Sequence, residues 1–474
     1  MGSNLDMLDE YLQNLFNERC YPGMSFTIRS SEGIVYDKGF GYRNMEKQLP
    51  IDGNTVFGIG SMSKTFTALA CCMLHVEGKL HLDDPISKYI PGFHISGIPD
   101  ECMTIKSFGT HRSGIPAMKP MEWSIAMNSI ERETEWYRYM RETSPNQMDE
   151  DEQVINYIKQ QDYELLGAPG EYMSYLNEGF VLLTVVVERA SGMPLETYLM
   201  EKIFKPVGMT RSILDIDGSR AKEMAEGNIS SLFDRLDNDE YVWDDNWSVF
   251  PPFRGAACVK STTHDLSRFY LMLDNKGVCD GEQVIPAEAI DLLCGRPFPL
   301  QAEPYYCMGL WKSNTHGEQL LEHCGALRGI SCQAGVVEGK YSIAAFCNEG
   351  NLGLDEFVWP CYNFIMGLPL TEKHYWAMPS GNVFSEPEAL CGDYVSNESM
   401  PSHIIVSIED GKLIADFDGL KVDLLYCSET IFAVVDYNEP EKRVNTFKFH
   451  IRHGKAWGVK CGYRIYQRIG TKRI

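Results

Sequence analysis

The 474-residue sequence contains no run of about 18 consecutive apolar residues, so it predicts no membrane-spanning helix. Basic residues are in the minority, since 43 Lys and Arg stand against 66 Asp and Glu and give a formal net charge of -23. A face that binds nucleic acid must be basic, so this balance argues against a nucleic-acid partner. No group of His, Cys, Asp and Glu has the spacing of a metal site, and we expect neither a metal nor another cofactor.

The 15 cysteines are odd in number, scattered, and without a C-x-x-C pair. Several lie inside apolar runs, as Cys71, Cys72 and Cys347 do. This pattern is typical of buried free thiols in a reducing compartment and predicts a cytoplasmic protein. The first residues lack the basic and apolar regions of a secretory leader, although the start Met1-Gly2-Ser3 leaves open that a leader has been removed.

One stretch, residues 57–74, combines glycines with an apolar helical pattern and reads FGIGSMSKTFTALACCML. Phe66, Leu69, Ala70 and Met73 recur at the spacing of a buried helix. Ser61 and Lys64 stand at its start, three residues apart, which places them on one face about one turn apart. Lys64 could take the serine proton if desolvation favours its neutral amine, and the N–H groups of the helix start could hold an oxyanion.

The S-x-x-K pattern by itself has a plainer interpretation. It is expected about once or twice by chance in a chain of this length, and Ser is a common helix cap. A second copy, residues 219–222, lies in a charged stretch without an apolar helix behind it, and we interpret it as surface. Another predicted helix starts at residues 261–265, with Ser261 and Asp265 as its expected caps.

Strand patterns occur early, at 24–28 and 34–36, and late, from 319 to 348, with helical patterns between them. This order predicts an α/β (α+β) fold in which an antiparallel sheet is assembled from both chain ends and flanked by helices. The acidic, aromatic residues 118–160 are interpreted as a solvated helical insertion, with a wall or lid over a cleft as the alternative, and residues 214–252 as an acidic loop region. Their most acidic and aromatic parts are two segments at 123–152 and 234–247. Short strands from 404 to 468 predict a small antiparallel C-terminal β-barrel.

The order of three short motifs carries a family resemblance. Ser61-x-x-Lys64 is followed by Tyr175-Leu176-Asn177 and then by His323-Cys324-Gly325. The sequence thereby resembles the serine β-lactamase and penicillin-binding-protein superfamily, which is β-lactamase/transpeptidase-like in fold and carries S-x-x-K, Y-x-N and K-T-G or H-x-G boxes. The closest type is the class C-like branch of D-aminopeptidases, D-alanyl-D-alanine carboxypeptidases and β-lactamase-fold esterases. The resemblance covers about residues 10 to 366, with further signatures at 82–85, 110–114 and 204–209.

The resemblance implies a role for each motif residue. Ser61 is the acylated nucleophile, and Lys64 and Tyr175 share the proton transfer, with the choice of base left open. Asn177 would bind the substrate amide or Lys64. His323 would flank the cleft on a strand edge.

The third motif has two further implications. The N–H groups of Ser61 and of Ala326, which follows Gly325, would form the oxyanion hole. Penicillin-recognising members usually carry lysine where this chain has His323, and histidine is mostly neutral at pH 7, so efficient β-lactamase activity is not expected. Arg328 is our candidate for the missing cation.

These features predict a β-lactamase-like serine hydrolase domain at residues 1–377, a linker at 378–387 and a lipocalin-like β-barrel accessory domain at 388–474. We expect cleavage of a small amide or peptide, in the manner of a D-aminopeptidase or a carboxypeptidase, through an acyl-enzyme at Ser61. The acidic segments would then bind a free amine of the substrate. The alternatives are an esterase or acyltransferase on the same residues, or an acyl-binding sensor without turnover. Two alternatives stay open for the barrel, which either lends a loop to the cleft or mediates contacts in a homo-oligomer.

Overall fold

The computed structural model describes residues 2–129, 134–146, 148–235, 241–296, 304–350, 353–375, 377–439 and 442–470. The chain divides into two compact units. Unit 1 is drawn from Met1–Thr110, Trp123–Gln160 and Asn177–His374. Unit 2 is drawn from His111–Glu122, Gln161–Leu176 and Tyr375–Ile474. The domain boundaries at 377 and 388 stay a prediction.

Helices occupy much of unit 1. Within the described ranges the α-helices are α1 (Gly2–Arg19), α2 (Ser63–Val76), α3 (Ile105–Gly109), α4 (Pro120–Asn128), α5 (Glu135–Thr143), α6 (Asp151–Gln160), α7 (Glu178–Ser191), α8 (Leu195–Leu199), α9 (Lys205–Val207), α10 (Ser219–Met224), α11 (Arg254–Ala257), α12 (Thr263–Asp274), α13 (Ala287–Cys294) and α14 (Asp355–Met366). None of these described helices combines the length and the hydropathy that a bilayer span needs.

The strands fall into a large sheet, a barrel and small pairs. In the same ranges they are β1 (Gly23–Ser30), β2 (Gly33–Asn44), β3 (Leu49–Pro50), β4 (Phe57–Gly58), β5 (Ile213–Leu214), β6 (Leu232–Arg235), β7 (Tyr241–Asp244), β8 (Val259–Ser261), β9 (Val278–Cys279), β10 (Glu282–Gln283), β11 (Tyr305–Tyr306), β12 (Trp311–Thr315), β13 (Glu318–Leu327), β14 (Ile330–Val337), β15 (Ser342–Cys347), β16 (Gly392–Ser396), β17 (Ser402–Glu409), β18 (Lys412–Phe417), β19 (Leu420–Ser428), β20 (Ile431–Asp436), β21 (Arg443–Arg452), β22 (Lys455–Cys461) and β23 (Arg464–Arg468).

The central sheet of unit 1 joins the two ends of that unit. Its strand order is β11-β12-β13-β14-β15-β1-β2-β3, and all neighbours are antiparallel. The early strand β1 pairs with the late strand β15, with Met24 opposite Cys347. The predicted antiparallel sheet built from early and late strands and flanked by helices is therefore confirmed.

The two faces of β1 show why helices cover the sheet on both sides. Met24, Phe26 and Ile28 alternate along the strand and join the apolar core that α1 and α14 close. The intervening Ser25 and Thr27 face α12, where both hydroxyls contact Oγ1 of Thr263, at 3.0 and 2.8 Å. One face of this strand is thus held by apolar burial and the other by buried hydrogen bonds.

Helix α2 is buried on all sides, because its side chains from Ser63 to Leu74 are all buried. It packs against α7, α11 and α13. A helix without a solvent-exposed face lies in the protein core, surrounded by other elements. Its polar side chains therefore need partners within unit 1, and Thr67 Oγ1 donates to the Gly255 carbonyl at 2.8 Å.

The start of α12 corrects one sequence prediction. Thr262, not Ser261 or Asp265, is the N-cap, since its Oγ1 accepts the N–H of Asp265 at 3.1 Å. The Asp265 carboxylate instead accepts from the N–H of Arg211 and the hydroxyl of Ser212, both at 2.8 Å. These tertiary partners take Asp265 away from the local cap.

Strands β16 to β23 of unit 2 form a closed antiparallel barrel, as predicted. Aromatic side chains fill it, among them Tyr394, Phe432, Phe447 and Phe449. The two-residue turns at Asp410-Gly411 and His453-Gly454 have positive φ at both residues, which matches the twist of tight hairpins. The first strand, β16, was not among the predicted strands, although it closes the barrel by pairing with β17 and β23.

Candidate active site

Ser61 lies in a short 3-10 turn, Gly60–Met62, that leads directly into α2. Gly60 has a φ of 50°, and a Cβ atom there would stand 3.1 Å from the N atom of Ala326. A glycine is therefore needed where the turn approaches the end of β13. Ser61 keeps partial exposure, whereas its neighbours Gly60 and Met62 are buried.

The hydroxyl of Ser61 is not a helix cap. The N-cap of α2 is Met62, and no side-chain cap bond is formed there. Ser61 Oγ instead accepts a hydrogen bond from Lys64 Nζ at 3.0 Å. The plain interpretation of Ser61 as an ordinary helix cap is therefore wrong.

Lys64 is completely buried. Its Nζ also donates to the Ala256 carbonyl at 3.1 Å and lies 5.6 Å from the centre of the Phe180 ring. Burying a lysine amine costs solvation free energy, because a charged group is less stable in the protein interior than in water. Such groups concentrate at functional sites.

The second S-x-x-K copy forms the exposed start of α10. Ser219 and Lys222 are both exposed, and Ser219 hydrogen-bonds the side chain of Asp217 at 2.7 Å. The interpretation of this copy as surface is confirmed.

The third motif lies on β13 beside the Ser61 turn. A Cβ atom at Gly325 would clash with the Ile59 carbonyl, so this strand position accepts only glycine. Cys332, opposite Gly325 on β14, donates its Sγ–H to the same carbonyl at 3.1 Å. Ala326 is exposed at the end of β13. The structure thus brings residues 325 and 326 to the turn that carries Ser61.

His323 is buried, and the protein engages both of its ring nitrogens. Nδ1 lies 2.6 Å from the Cys324 carbonyl and Nε2 lies 2.8 Å from the hydroxyl of Tyr306. A carbonyl can only accept, so Nδ1 carries the proton and Nε2 accepts from Tyr306. Burial, together with the nearby Lys64, lowers the pKa of His323 to about 3. The imidazole is therefore neutral. Tyr306 was not predicted from the sequence, where no motif marks it.

Asn177 stands at the N-cap position of α7 but makes no side-chain cap bond. It is buried in unit 1, and its carbonyl accepts the N–H of Phe180 at 3.0 Å. The cap interpretation of this asparagine therefore finds no support in its side chain.

Tyr175 belongs to unit 2 and is buried there. Its ring centre lies 3.9 Å from that of His111, and the guanidinium carbon of Arg464 lies 4.6 Å from it. Its N–H donates to the Tyr463 carbonyl at 2.8 Å. His111 falls in the 110–114 signature noted in the sequence, but no role was predicted for it or for Arg464.

Arg328 packs against aromatic side chains of α5. Its guanidinium carbon lies 4.6 Å from the centre of the Tyr137 ring and 5.4 Å from that of Trp136. These contacts are cation–π interactions. The cation predicted from the sequence, Arg328, therefore packs against two aromatic rings of α5.

The acidic segments contain carboxylates that already serve the fold. Asp151 forms a double hydrogen bond with Arg254, at 2.7 and 2.9 Å. Asp245 faces Lys47 at 3.5 Å and accepts from Ser231. Residues 236–240 of the second segment lie outside the described residues. Because Asp151 and Asp245 already pair with groups of the protein, they give little support to the prediction that these segments bind a substrate amine.

The family model described as Beta-lactamase matches residues 8–357. The chain belongs to the β-lactamase family. The predicted enzyme class, a serine hydrolase related to β-lactamases and penicillin-binding proteins, is thereby confirmed at the level of the family.

Among curated proteins, penicillin-binding protein 4* of Bacillus subtilis (strain 168) is 28% identical over 254 residues, which are 51% of this chain and 51% of that protein. The chain spans about half the length or less of the curated relatives it matches.

Solved structures extend the likeness over a larger share of the chain. The octameric penicillin-binding protein homologue from Pyrococcus abyssi has a TM-score of 0.67 at 24% identity and covers 98% of this chain and 100% of its own. A D-stereospecific amidohydrolase from Streptomyces sp. has a TM-score of 0.58 at 21% identity and covers 76% of this chain and 99% of its own. At these identities the likeness establishes the fold, including the barrel in the first case.

Proposed function

We propose that this β-lactamase-family protein hydrolyses a small amide or peptide through an acyl-enzyme at Ser61. The observation that supports the proposal most directly is the 3.0 Å hydrogen bond between Lys64 Nζ and Ser61 Oγ. Lys64 is fully buried beside this hydroxyl, and a lysine amine that has given up its own proton can accept that of the serine. A scissile bond next to a D residue fits the amidohydrolase among the similar structures.

The reaction would take place in two halves. Ser61 Oγ forms a bond to the substrate carbonyl carbon and gives its proton to the base, which is Lys64 or Tyr175. The N–H groups of Ser61 and Ala326 would hold the resulting oxyanion, and Asn177 the substrate amide. The C–N bond then breaks, and the leaving amine takes up the proton. Water attacks the ester, releases the acid and restores the Ser61 hydroxyl.

The state of His323 bears on the substrate. A neutral imidazole with both nitrogens engaged offers no fixed positive charge to a substrate carboxylate. Among the residues of the proposed site, the cation nearest to His323 in sequence is Arg328, which packs against the rings of Trp136 and Tyr137. This arrangement favours substrates that need no carboxylate at the third motif. It also supports the second candidate, an esterase or acyltransferase that uses the same Ser61.

A substrate panel separates these candidates. We expect the protein to turn over D-aminoacyl p-nitroanilides faster than the L forms, with a lower preference for p-nitrophenyl esters. Comparing free and acetylated amino termini shows whether an amine is recognised. Ser61→Ala should abolish turnover, whereas the matched control Ser219→Ala should leave it unchanged.

Mass spectrometry of the quenched reaction provides the second readout. The acyl adduct should map to the peptide that carries Ser61. A wild-type burst of one acyl group per chain without turnover would instead indicate an acyl-binding sensor. Absence of any adduct and of any turnover across the panel would contradict the proposed hydrolase.

The setting of the enzyme is part of the same proposal. All 15 cysteines are free, which supports a reducing compartment such as the cytoplasm. The substrate would be a small molecule or a peptide. One similar structure is described as octameric, and we propose a homo-oligomer here as well, to be tested by light scattering on the purified chain.

A further inference from the structure

The segment around Tyr175 is fixed by hydrogen bonds from three successive backbone N–H groups within unit 2. The N–H of Ser174 donates to the His111 carbonyl at 3.0 Å, that of Tyr175 to the Tyr463 carbonyl at 2.8 Å, and that of Leu176 to Nδ1 of His111 at 3.1 Å. His111 itself has a φ of 55°, an uncommon conformation for a non-glycine residue. The segment is therefore held on one side by His111 and on the other by the turn between β22 and β23.

That barrel turn contributes more than one bond. The N–H of Ile465 donates to Oγ of Ser174 at 3.3 Å, and the rings of Tyr463 and Tyr175 lie 6.1 Å apart between their centres. Arg464 lies between Tyr463 and Ile465 in the sequence, and its guanidinium carbon is 4.6 Å from the centre of the Tyr175 ring. Residues 463–465 thus contact residues 174 and 175 through main chain and side chain.

Arg464 is held in place by its own partner. Its guanidinium forms an ion pair with Glu398, and the two side chains are only 21% and 19% exposed. Burial opposes the charge on Arg464, but the Glu398 carboxylate more than offsets this, so the pKa of Arg464 is raised. The cation beside Tyr175 is therefore permanent. Further ionisable groups of unit 2 act on Arg464 or contact Tyr175, among them His111, Tyr463, Tyr466 and Glu122.

We propose that Arg464 is a positioning residue that fixes the ring of Tyr175 and favours its phenolate form, so that the C-terminal barrel supplies a determinant of proton transfer. The inference rests on the proposed function, in which Tyr175 takes part in moving the Ser61 proton. A cation within about 4–6 Å stabilises the ionised form of an acid. A guanidinium is planar, so it can stack on the ring with its face while the N–H donors at its edge keep the carboxylate partner.

The test compares three changes at Arg464 with a matched control. Arg464→Met removes the cation and keeps the length, and Arg464→Lys keeps the charge. The double variant Arg464→Met/Glu398→Gln also removes the Glu398 carboxylate, which loses its Arg464 partner in the single variant. If Arg464→Met folds poorly, the double variant is used to test the role of Arg464. Arg443→Met is the control, because Arg443 lies 4.4 Å over the Tyr375 ring in the same unit and forms the same kind of contact.

Two readouts are measured with the full chain. The first is kcat and KM against pH, with the best substrate of the panel. Both Met variants should lower kcat at neutral pH by about tenfold or more, leave KM nearly unchanged and move the acidic limb of the profile to higher pH. The Lys variant should keep the limb in place, and Arg443→Met should match the wild type.

The second readout does not depend on turnover. Tyrosinate absorbance during a pH titration, taken as the difference from the same protein carrying Tyr175→Phe, follows the Tyr175 phenol alone. Its midpoint should move to higher pH in the Met variants and not in Arg443→Met. An unmoved midpoint and an unmoved acidic limb in the double variant would overturn the proposal. If no substrate is turned over but the midpoint still moves, the proposed function fails and the role of Arg464 stands.

Discussion

At the scale of single residues, the burial of Lys64 has the largest chemical consequence. Methionine has nearly the same length and no charge, so Lys64→Met removes the amine with little change in packing. We expect kcat to fall by about a hundredfold or more, because the Ser61 hydroxyl loses the contact that can take its proton. The thermal midpoint should stay or rise, since an amine no longer has to be buried.

The second S-x-x-K copy provides the control for this prediction. Lys222→Met changes the same residue type at the exposed copy and should alter neither rate nor thermal midpoint. A Lys64→Met protein that melts like the wild type and keeps its turnover would contradict the assignment of Lys64.

The same scale shows where sequence patterns stop. Periodicity and the S-x-x-K spacing predicted the Ser61–Lys64 pair, because the 3-10 turn that carries Ser61 leads directly into α2, which carries Lys64. No pattern predicted Tyr306, whose contact with His323 joins two strands that are neighbours only through β12. At α12 the local sequence offered several capping side chains of similar strength, and the tertiary partners of Asp265 decided between them.

At the scale of the element, β13 places two shifted titrating groups on opposite faces. Burial raises the pKa of Glu322 to about 7, partly offset by its hydrogen bond from Gln333. His323, the next residue, has its pKa lowered by burial to about 3. Alternation along a strand sends such neighbours into different surroundings. Their contributions to stability therefore depend on pH in opposite directions.

The signs follow from proton binding. Folded Glu322 binds its proton below about pH 7, before the unfolded chain does, so its contribution grows as pH falls toward 4.5. Folded His323 resists the proton that the unfolded chain binds below about pH 6.5, so its contribution shrinks as pH falls. Between pH 6.5 and 4.5 the two effects oppose each other.

Two variants should separate these effects. Relative to the wild type, we expect Glu322→Gln to lose unfolding free energy on acidification from pH 6.5 to 4.5, by about 1 kcal/mol per pH unit, and His323→Gln to gain it. Denaturant titrations at several pH values measure both slopes. Glu318→Gln, on the same strand, is the control and should follow the wild-type slope. Parallel curves for all four proteins would show that neither site is shifted.

The barrel shows what strand patterns can and cannot predict. Alternation and Asp-Gly or His-Gly turns predicted its later hairpins, because such turns impose their own geometry. Strand β16 has only one fully buried side chain, Tyr394, and its identity as a strand comes from pairing with β17 and β23. Pairing between distant segments leaves no local periodicity to detect.

At the scale of the whole molecule, early and late strands predicted one sheet, and β1 beside β15 confirms it. Strand patterns did not predict which segments of the chain make up unit 2. It combines the barrel with the segments His111–Glu122 and Gln161–Leu176, which lie far from it in sequence. Linker composition predicts a boundary along the chain, whereas compactness depends on contacts that the sequence order does not display.

The free cysteines allow the cooperativity of each unit to be measured. Thiols react as thiolates and need access, and burial raises the pKa of Cys71 and of Cys461 to about 12. We expect exposed Cys20 and Cys102 to be alkylated at once in the native protein. The buried thiols should become reactive only when their own unit opens, because a compact unit with one core unfolds as a whole.

Pulsed alkylation at increasing denaturant, followed by peptide mass spectrometry, gives a midpoint for each cysteine. Within unit 1, Cys71 on α2 and Cys332 on β14 should share one midpoint, although one lies in the helices and the other in the sheet. Within unit 2, Cys427 and Cys461 should share a second, since β19 and β22 belong to the same closed barrel. Different midpoints for Cys427 and Cys461 would mean that the barrel does not unfold as one body, and would remove the basis for treating residues 388–474 as a domain.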